Sequence, residues 1–209
     1  MGSGWVFDCV RVLSFSVMKY SDTQFSHGEA VEPWRCWFIC TGSTYGTWLP
    51  GDPRGWRTKG QRVHVEGDYR NPPVDTAARR RLHEINKARM KQSAVYLDEP
   101  IARVAACEAM ALKLAADEIA CLVLSVSINH YHVLVRVPDC HPRYWLGRAK
   151  KSATAAMKKK GLAEGRVWAS KGQCKPIVDE GHWKRARDYI ERHFTGEGAA
   201  VWVDGGLRA

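Results

Sequence analysis

Short apolar runs alternate along the chain with longer stretches in which apolar residues recur every three to four positions. The first pattern is typical of buried strands, and the second is typical of helices that cover one face of a sheet. Four apolar runs predict strands, at residues 36–41, 121–128, 130–137 and 173–178. Because only Asn129 separates the second run from the third, these two runs predict an antiparallel hairpin that turns there.

Four amphipathic stretches predict helices, at residues 76–93, 99–117, 142–160 and 180–194. The first two stretches follow the first strand, and we expect their apolar stripes to cover the sheet. The order of elements predicts an α+β fold, a ferredoxin-like antiparallel sheet with helices on one face. An extra helix follows the first strand, and a further C-terminal helix carries Tyr189.

Length and composition predict one folded domain with an extension at each end. The 209 residues suffice for one core, and 45% of them are hydrophobic, with 9 Trp, 7 Tyr and 5 Phe. Residues 1–34 show no clean period and are interpreted as an N-terminal extension, residues 35–195 as the domain and residues 196–209 as a C-terminal tail. The apolar stretches are too short to cross a bilayer, so we expect no membrane partner.

The cysteines and the charge narrow the class of protein. Seven cysteines, an odd number without a CxxC pair, indicate neither a disulfide framework nor a zinc ribbon. This usage fits a reducing compartment, and we expect a cytoplasmic, nucleoid-associated protein. The net charge of +10, from 32 Lys and Arg against 22 Asp and Glu, predicts a polyanionic partner. A basic face that only keeps the protein in solution is the alternative.

Two regions are candidates for contact with nucleic acid. Residues 45–56 form a predicted loop rich in Gly, Pro and Trp, where aromatic rings could stack on bases and guanidinium groups could hold phosphates. An Ω-loop whose tryptophans close the edge of the core is the alternative. The third predicted helix is basic. The candidate DNA-contacting residues are Tyr45, Trp48, Arg54 and Trp56 in the loop and Arg148, Lys150, Lys151 and Lys158 in the helix.

Two histidines share one face of the third predicted strand. Because side chains alternate between the two faces of a strand, His130 and His132 project together, and Tyr131 projects from the other face. Alternate positions lie within about 7 Å, close enough for both imidazoles to bind one metal ion. By itself, such a pair is explained equally well by a structural role.

The last predicted helix adds a tyrosine and a third histidine. Its apolar stripe, which we expect to dock on the sheet, consists of Trp183, Ala186, Ile190 and Phe194. Tyr189 and His193 lie four residues apart at the border of that stripe, where they could meet a metal bound by the strand. A dication there would assist attack on a phosphodiester, because forming a tyrosine phenolate at pH 7 costs about 4 kcal/mol.

The segments that carry these residues resemble those of HUH endonucleases. The segment that resembles their histidine-hydrophobic-histidine strand is Ser127-Ile128-Asn129-His130-Tyr131-His132-Val133-Leu134-Val135. More narrowly, the chain is similar to the single-tyrosine transposases and the REP-associated tyrosine transposases. In these, a basic helix, a Trp-containing turn and a helix bearing the nucleophile follow the motif strand. The matching segments here are residues 150–160, Arg166-Val167-Trp168 and residues 187–193.

This resemblance implies a metal-dependent endonuclease and strand transferase that acts on single-stranded or hairpin DNA through a covalent 5′-phosphotyrosine. It implies that Tyr189 is the nucleophile, that His130 and His132 bind the metal and that His193 completes the metal site. Relatives commonly carry Gln or Asn at that last position. Magnesium or manganese is the expected cofactor, although three nitrogen ligands suit manganese, cobalt or zinc better than magnesium. A monomer and a homodimer both fit the pattern.

Three other functions share parts of this pattern. A rolling-circle replication initiator or a relaxase has the same histidine pair and tyrosine but usually carries larger partner domains. A non-catalytic module that binds single-stranded nucleic acid on a ferredoxin-like sheet would use the histidines only structurally. A metal-dependent phosphodiesterase would use water as its nucleophile and would form no covalent adduct.

Overall fold

In a computed structural model of the protein, the described residues are 34–53, 76–203 and 205–209, without the side chain of Lys171. They belong to one unit of the chain, Glu32–Ala209. Residues 1–33, nearly all of the expected N-terminal extension, lie outside the described ranges.

Six strands of the described chain form one antiparallel sheet, in the order β4-β1-β3-β2-β5-β6. They are β1 (Trp37–Thr44), β2 (Ala120–Val126), β3 (His130–Arg136), β4 (Trp168–Pro176), β5 (Ala200–Val203) and β6 (Gly206–Arg208). The predicted antiparallel hairpin is confirmed, since β2 pairs with β3 and the Ser127 amide donates to the His130 carbonyl at 2.8 Å. The second neighbour of β3 is β1, so β3 lies inside the sheet.

Within the described ranges, five helices accompany the sheet: α1 (Ala77–Ala88), α2 (Pro100–Ala116), α3 (Pro142–Lys159), α4 (Glu180–Glu191) and α5 (His193–Glu197). Local sequence explains where several of them begin. Prolines occupy the first turns of α2 and α3, where the missing N–H has no helical partner in any case. The side chain of Asp179 caps α4 by accepting from the His182 amide at 2.6 Å. The order of elements predicted through the last helix is therefore confirmed.

The helices cover both faces of the sheet, so the expectation that they lie on one face is wrong. On one face, α2 and α3 pack over Tyr131, Val133 and Val135 of β3. On the other face, α4 packs through Ile190 over Leu134. The cause is visible in β3, where apolar residues occupy both faces of the strand and each face needs a cover.

Helix α1 does not cover the sheet, although its amphipathic pattern predicted that it would. None of its residues is buried. It lies instead against the loop after β1, where the Asn86 side chain donates to the Pro50 carbonyl at 3.4 Å. Gly51 packs so closely on α1 that a Cβ added there would lie 2.6 Å from the Arg79 carbonyl oxygen.

The segment expected to be a C-terminal tail belongs to the fold. Strand β5 pairs with β2, from Val123 opposite Val203 to Val126 opposite Ala200, and β6 pairs with β5. The domain therefore continues beyond residue 195, where sequence analysis ended it. The reason is a run of only four residues, Ala200–Val203, that is too short to stand out as a strand but is largely buried against β2.

One disulfide joins Cys36 to Cys140, although the cysteine pattern indicated no disulfide framework. The bond connects the start of β1 to the turn after β3, across a separation of 104 residues that spacing rules do not detect. The expectation of a reducing compartment loses the support that it drew from the cysteines. Within the described ranges, no helix combines the length and the apolar character that a transmembrane span requires.

We expect Gly42→Ala to destabilise the protein by about 1–3 kcal/mol, because an added methyl group overpacks a tight site. The new Cβ would lie 2.5 Å from Cε1 of Tyr131, a buried ring that also packs edge-on against Trp168. Urea denaturation measures the change. Gly147→Ala is the matched control, since its Cβ would meet nothing within 4 Å and α3 should gain up to about 1 kcal/mol from the better helix former. Equal stability of the two variants would contradict the packing of Gly42 against Tyr131.

Candidate metal centre

Three histidines converge on the face of the sheet that α4 covers. The ring centroids of His130 and His132 are 4.8 Å apart, and His193 lies 4.6 Å from His132 and 5.5 Å from His130. One nitrogen from each ring lies within 4.8 Å of the other two. The three-histidine cluster therefore has the dimensions of a metal centre that needs a contraction of about 1 Å to close on an ion.

The sheet and α4 position the cluster from two sides. Register places Thr41 of β1 and Ser125 of β2 opposite His132, so the strand pairing fixes where that imidazole emerges. Helix α4 docks through its tryptophan side, as the apolar stripe predicted: Trp183 packs on Trp34 and Trp37 at centroid distances of 6.2 and 6.4 Å. His193, the first residue of α5, is thereby brought over the strand histidines.

Hydrogen bonds at Nδ1 orient all three rings. The contacts are His193 Nδ1 to the Tyr189 carbonyl at 2.8 Å, His130 Nδ1 to Asn129 Oδ1 at 2.7 Å and His132 Nδ1 to Thr41 Oγ1 at 2.8 Å. A carbonyl oxygen can only accept, so Nδ1 carries the proton in His193 and in His130. In the neutral ring, Nε2 then keeps its lone pair. Such contacts are typical of the residues that support metal-bound histidines.

Burial keeps the strand histidines in the form that binds metals. Burial, together with the neighbouring imidazoles of His130 and His193, lowers the pKa of His132 to about 3. Burial also lowers the pKa of His130, against an opposing effect of the Glu197 carboxylate. Both rings are therefore neutral at pH 7, and a metal ion need not displace a proton to bind them.

The hydroxyl of Tyr189 lies beside this cluster. Its oxygen is 3.5 Å from His132 Nε2, and the phenol ring lies 5.0 Å from the His132 ring and 4.8 Å from the His193 ring. The residue is 43% exposed, so it borders both the histidines and solvent. The four residues that sequence analysis assigned to the catalytic and metal site thus lie together. Phe194, which sequence analysis placed in the apolar stripe of the same helix, is 37% exposed.

Sequence analysis missed three residues that contact the cluster. Thr41 and Asn129 were assigned only to a strand and a turn. Glu197 was assigned to the tail, yet its carboxylate oxygens lie 3.6 Å from Nε2 of His130 and 3.8 Å from Nε2 of His193. Its position four residues after His193 was a signal, because that spacing puts two side chains on one side of a helix.

The end of β1 is joined to the turn that precedes His130. The amide of Thr44, the last residue of β1, donates to the Asn129 carbonyl at 2.9 Å, and the loop after β1 starts at this point. Of the predicted nucleic-acid contacts, Trp48 is 38% exposed in this loop, and Tyr45 has the guanidinium group of Arg166 5.5 Å above its ring. The described part of this loop, together with Arg166, therefore presents aromatic and cationic groups.

Two side chains of α3 that were predicted to contact nucleic acid already bind other parts of the protein. Arg148 makes two hydrogen bonds of 2.8 Å to the carboxylate of Asp117. Lys150 donates to the Ala169 carbonyl at 3.1 Å, and burial lowers the pKa of its ammonium group. Both side chains are therefore less available to a phosphate than their charge suggests.

The remaining predicted contacts are not brought to the metal centre. Lys151 and Lys158 are exposed, but α3 lies on the opposite face of the sheet from the three-histidine cluster. Arg54 and Trp56 lie outside the described residues.

Comparisons with known proteins identified no relatives: no protein-family model, no curated protein and no solved structure matches the chain. A functional conclusion therefore rests on the residues and their geometry.

We expect the metal-free protein to lose stability as the pH falls from about 6.5 towards 3. In this interval an unfolded histidine binds a proton, whereas folded His132, with its pKa near 3, does not. The depressed pKa of His132 should lower the free energy of unfolding by up to about 1.4 kcal/mol for each pH unit in this interval. Urea denaturation with a chelator present should show a shallower decline for His132→Gln. His141→Gln, at an exposed position, serves as the control, and equal slopes for all three proteins would contradict a neutral His132.

Proposed function

We propose that the protein is a metal-dependent endonuclease and strand transferase for single-stranded DNA, with Tyr189 as its nucleophile. The observation that carries this proposal is the 3.5 Å approach of the Tyr189 hydroxyl to Nε2 of His132. A tyrosine oxygen and three converging imidazoles are the parts that metal-assisted attack on a phosphodiester requires.

The donor set fits a divalent metal ion. The Nε2 atoms of His130, His132 and His193 would hold it, because each Nδ1 already has an oxygen partner. A bound dication would supply Lewis acidity that stabilises the charge of the phosphate in the transition state. Three nitrogen ligands favour manganese, cobalt or zinc over magnesium, which prefers oxygen ligands.

Tyr189 would cut the strand in a single displacement. Its oxygen forms a bond to phosphorus while the bond from phosphorus to the 3′ oxygen breaks, which leaves a 3′-hydroxyl and a 5′-phosphotyrosine. The phenol proton passes to solvent, to which this residue is 43% exposed. Because the phosphotyrosine retains the energy of the broken linkage, a 3′-hydroxyl can attack it and rejoin the strand.

The loop after β1 supports a single-stranded or hairpin substrate. Trp48 is exposed for stacking on an unpaired base, and the Tyr45–Arg166 pair combines a ring with a cation. A net charge of +10 favours binding of a phosphate backbone. The strand order β4-β1-β3-β2, with α2 and α3 over one face, supports a ferredoxin-like core for this enzyme.

We expect Tyr189→Phe to abolish a denaturant-resistant complex between the protein and a single-stranded oligonucleotide containing a hairpin, in the presence of Mn²⁺. The variant lacks only the oxygen that attacks phosphorus, so its affinity for the oligonucleotide should stay within about twofold. Denaturing electrophoresis detects the adduct, and peptide sequencing locates it. Tyr96→Phe is the matched control, because Tyr96 is exposed to a similar degree, 48% against 43%.

An adduct that persists in Tyr189→Phe would overturn the assignment of the nucleophile. Cleavage by the unaltered protein without any adduct would indicate that water is the nucleophile. Binding without cleavage by the unaltered protein would indicate the non-catalytic module.

Replacing His130 and His132 together by Ala should lower the rate of strand cleavage by about 100-fold or more, because the metal and its Lewis acidity are lost. Binding of the oligonucleotide at several salt concentrations should change little, since phosphate contacts carry that affinity. His141→Ala, at an exposed position, should behave like the unaltered protein. Equal loss of binding and cleavage in the double variant would instead assign the pair a structural role.

A further inference from the structure

The carboxylate of Glu197 lies beside two residues of the three-histidine cluster. Oε2 is 3.6 Å from Nε2 of His130, and Oε1 is 3.8 Å from Nε2 of His193. Helix α5 ends directly after this residue, where Gly198 adopts a left-handed conformation with φ of 58°. The Ala199 amide then donates back to the His193 carbonyl at 3.2 Å, which fixes the end of the helix and the position of Glu197.

These separations are too long for hydrogen bonds but close to the spacing of two ligands on one ion. A hydrogen bond between nitrogen and oxygen is about 2.7–3.2 Å long. Ligand atoms that each lie about 2.1 Å from a tetrahedral ion are about 3.4 Å from one another. The observed 3.6 and 3.8 Å exceed that spacing by only a few tenths of an ångström.

The chemistry of the donor atoms also suits a cation. The Glu197 carboxylate faces the Nε2 atoms of His130 and His193, and the Nδ1 atom of each of these rings already has an oxygen partner. A divalent ion between them would pair with the carboxylate and accept the nitrogen lone pairs.

We infer that Glu197 is the fourth protein ligand of the metal centre, which completes a set of three imidazoles and one carboxylate. This inference rests on the metal site of the proposed function. The carboxylate approaches His130 and His193, whereas the Tyr189 hydroxyl approaches His132, so the fourth ligand leaves the path of the nucleophile open. An ion that accepts more than four ligands, as Mn²⁺ does, would keep room for an oxygen of a DNA phosphate or of water.

Glu197→Gln tests the assignment, because it removes the charge and the preferred ligand oxygen while keeping the shape of the side chain. We expect its affinity for Mn²⁺ to fall at least about 10-fold in isothermal titration calorimetry, since changes even to residues behind the ligands weaken metal sites by about 10- to 100-fold. We also expect the visible absorption bands of bound Co²⁺ to shift, because they report the ligand set. Glu180→Gln makes the same chemical change at an exposed glutamate that pairs with Lys184. This control should alter neither the Mn²⁺ affinity nor the Co²⁺ spectrum.

The possible outcomes test the assignment of Glu197 as a ligand and the proposed function separately. Unchanged Mn²⁺ affinity in Glu197→Gln overturns the ligand assignment and leaves the proposed function intact. Weaker binding with an unchanged Co²⁺ spectrum also overturns it, because Glu197 then acts only through its charge. Failure of the unaltered protein to bind Mn²⁺ overturns both the fourth ligand and the metal centre. Glu197→Gln could also change both the Mn²⁺ affinity and the Co²⁺ spectrum while the unaltered protein forms no DNA adduct through Tyr189. That result would support Glu197 as a metal ligand and overturn the proposed function.

Discussion

The position of β3 between β1 and β2 determines which side chains reach the metal centre. Tyr131, Val133 and Val135 are buried under α2 and α3, so the packing of that core fixes His130 and His132 on the opposite face. A shift of the strand by one residue would turn both imidazoles into the apolar core. The packing of hydrophobic residues on one face of β3 therefore determines which side chains lie on its other face.

Burial would be unfavourable for these polar rings without partners for their N–H groups, since an unsatisfied buried donor costs about 1–3 kcal/mol. Asn129 Oδ1 and the Tyr189 carbonyl accept from Nδ1 of His130 and His193 at 2.7 and 2.8 Å, and the Thr41 hydroxyl pairs with Nδ1 of His132 at 2.8 Å. In all three rings this contact leaves Nε2 for a metal. One set of hydrogen bonds therefore stabilises the folded chain and prepares the ligand set, which is why residues from a strand, a turn and a helix are all needed to form it.

Local patterns carried the successful predictions. The alternation in residues 130–137 identified the strand and its histidines, and the four-residue spacing of Tyr189 and His193 identified their shared side of a helix. Contacts between distant segments were not accessible in this way: Thr41 lies 91 residues from its histidine partner, and the disulfide spans 104 residues. Glu197 was missed for a different reason. The last helix was expected to end at 194, whereas a second helix continues to 197.

The spacing of Tyr189 and His193 meets two opposing requirements of the proposed strand-cutting site. Metal ligands need shelter from water and protons, and His193 is only 7% exposed. A nucleophile needs access for a DNA phosphate, and Tyr189, one turn earlier, is 43% exposed. The two residues lie one helical turn apart, with His193 buried against the sheet and the phenol of Tyr189 at the rim. A substrate could then approach the tyrosine from solvent without uncovering the nitrogens that would hold the metal.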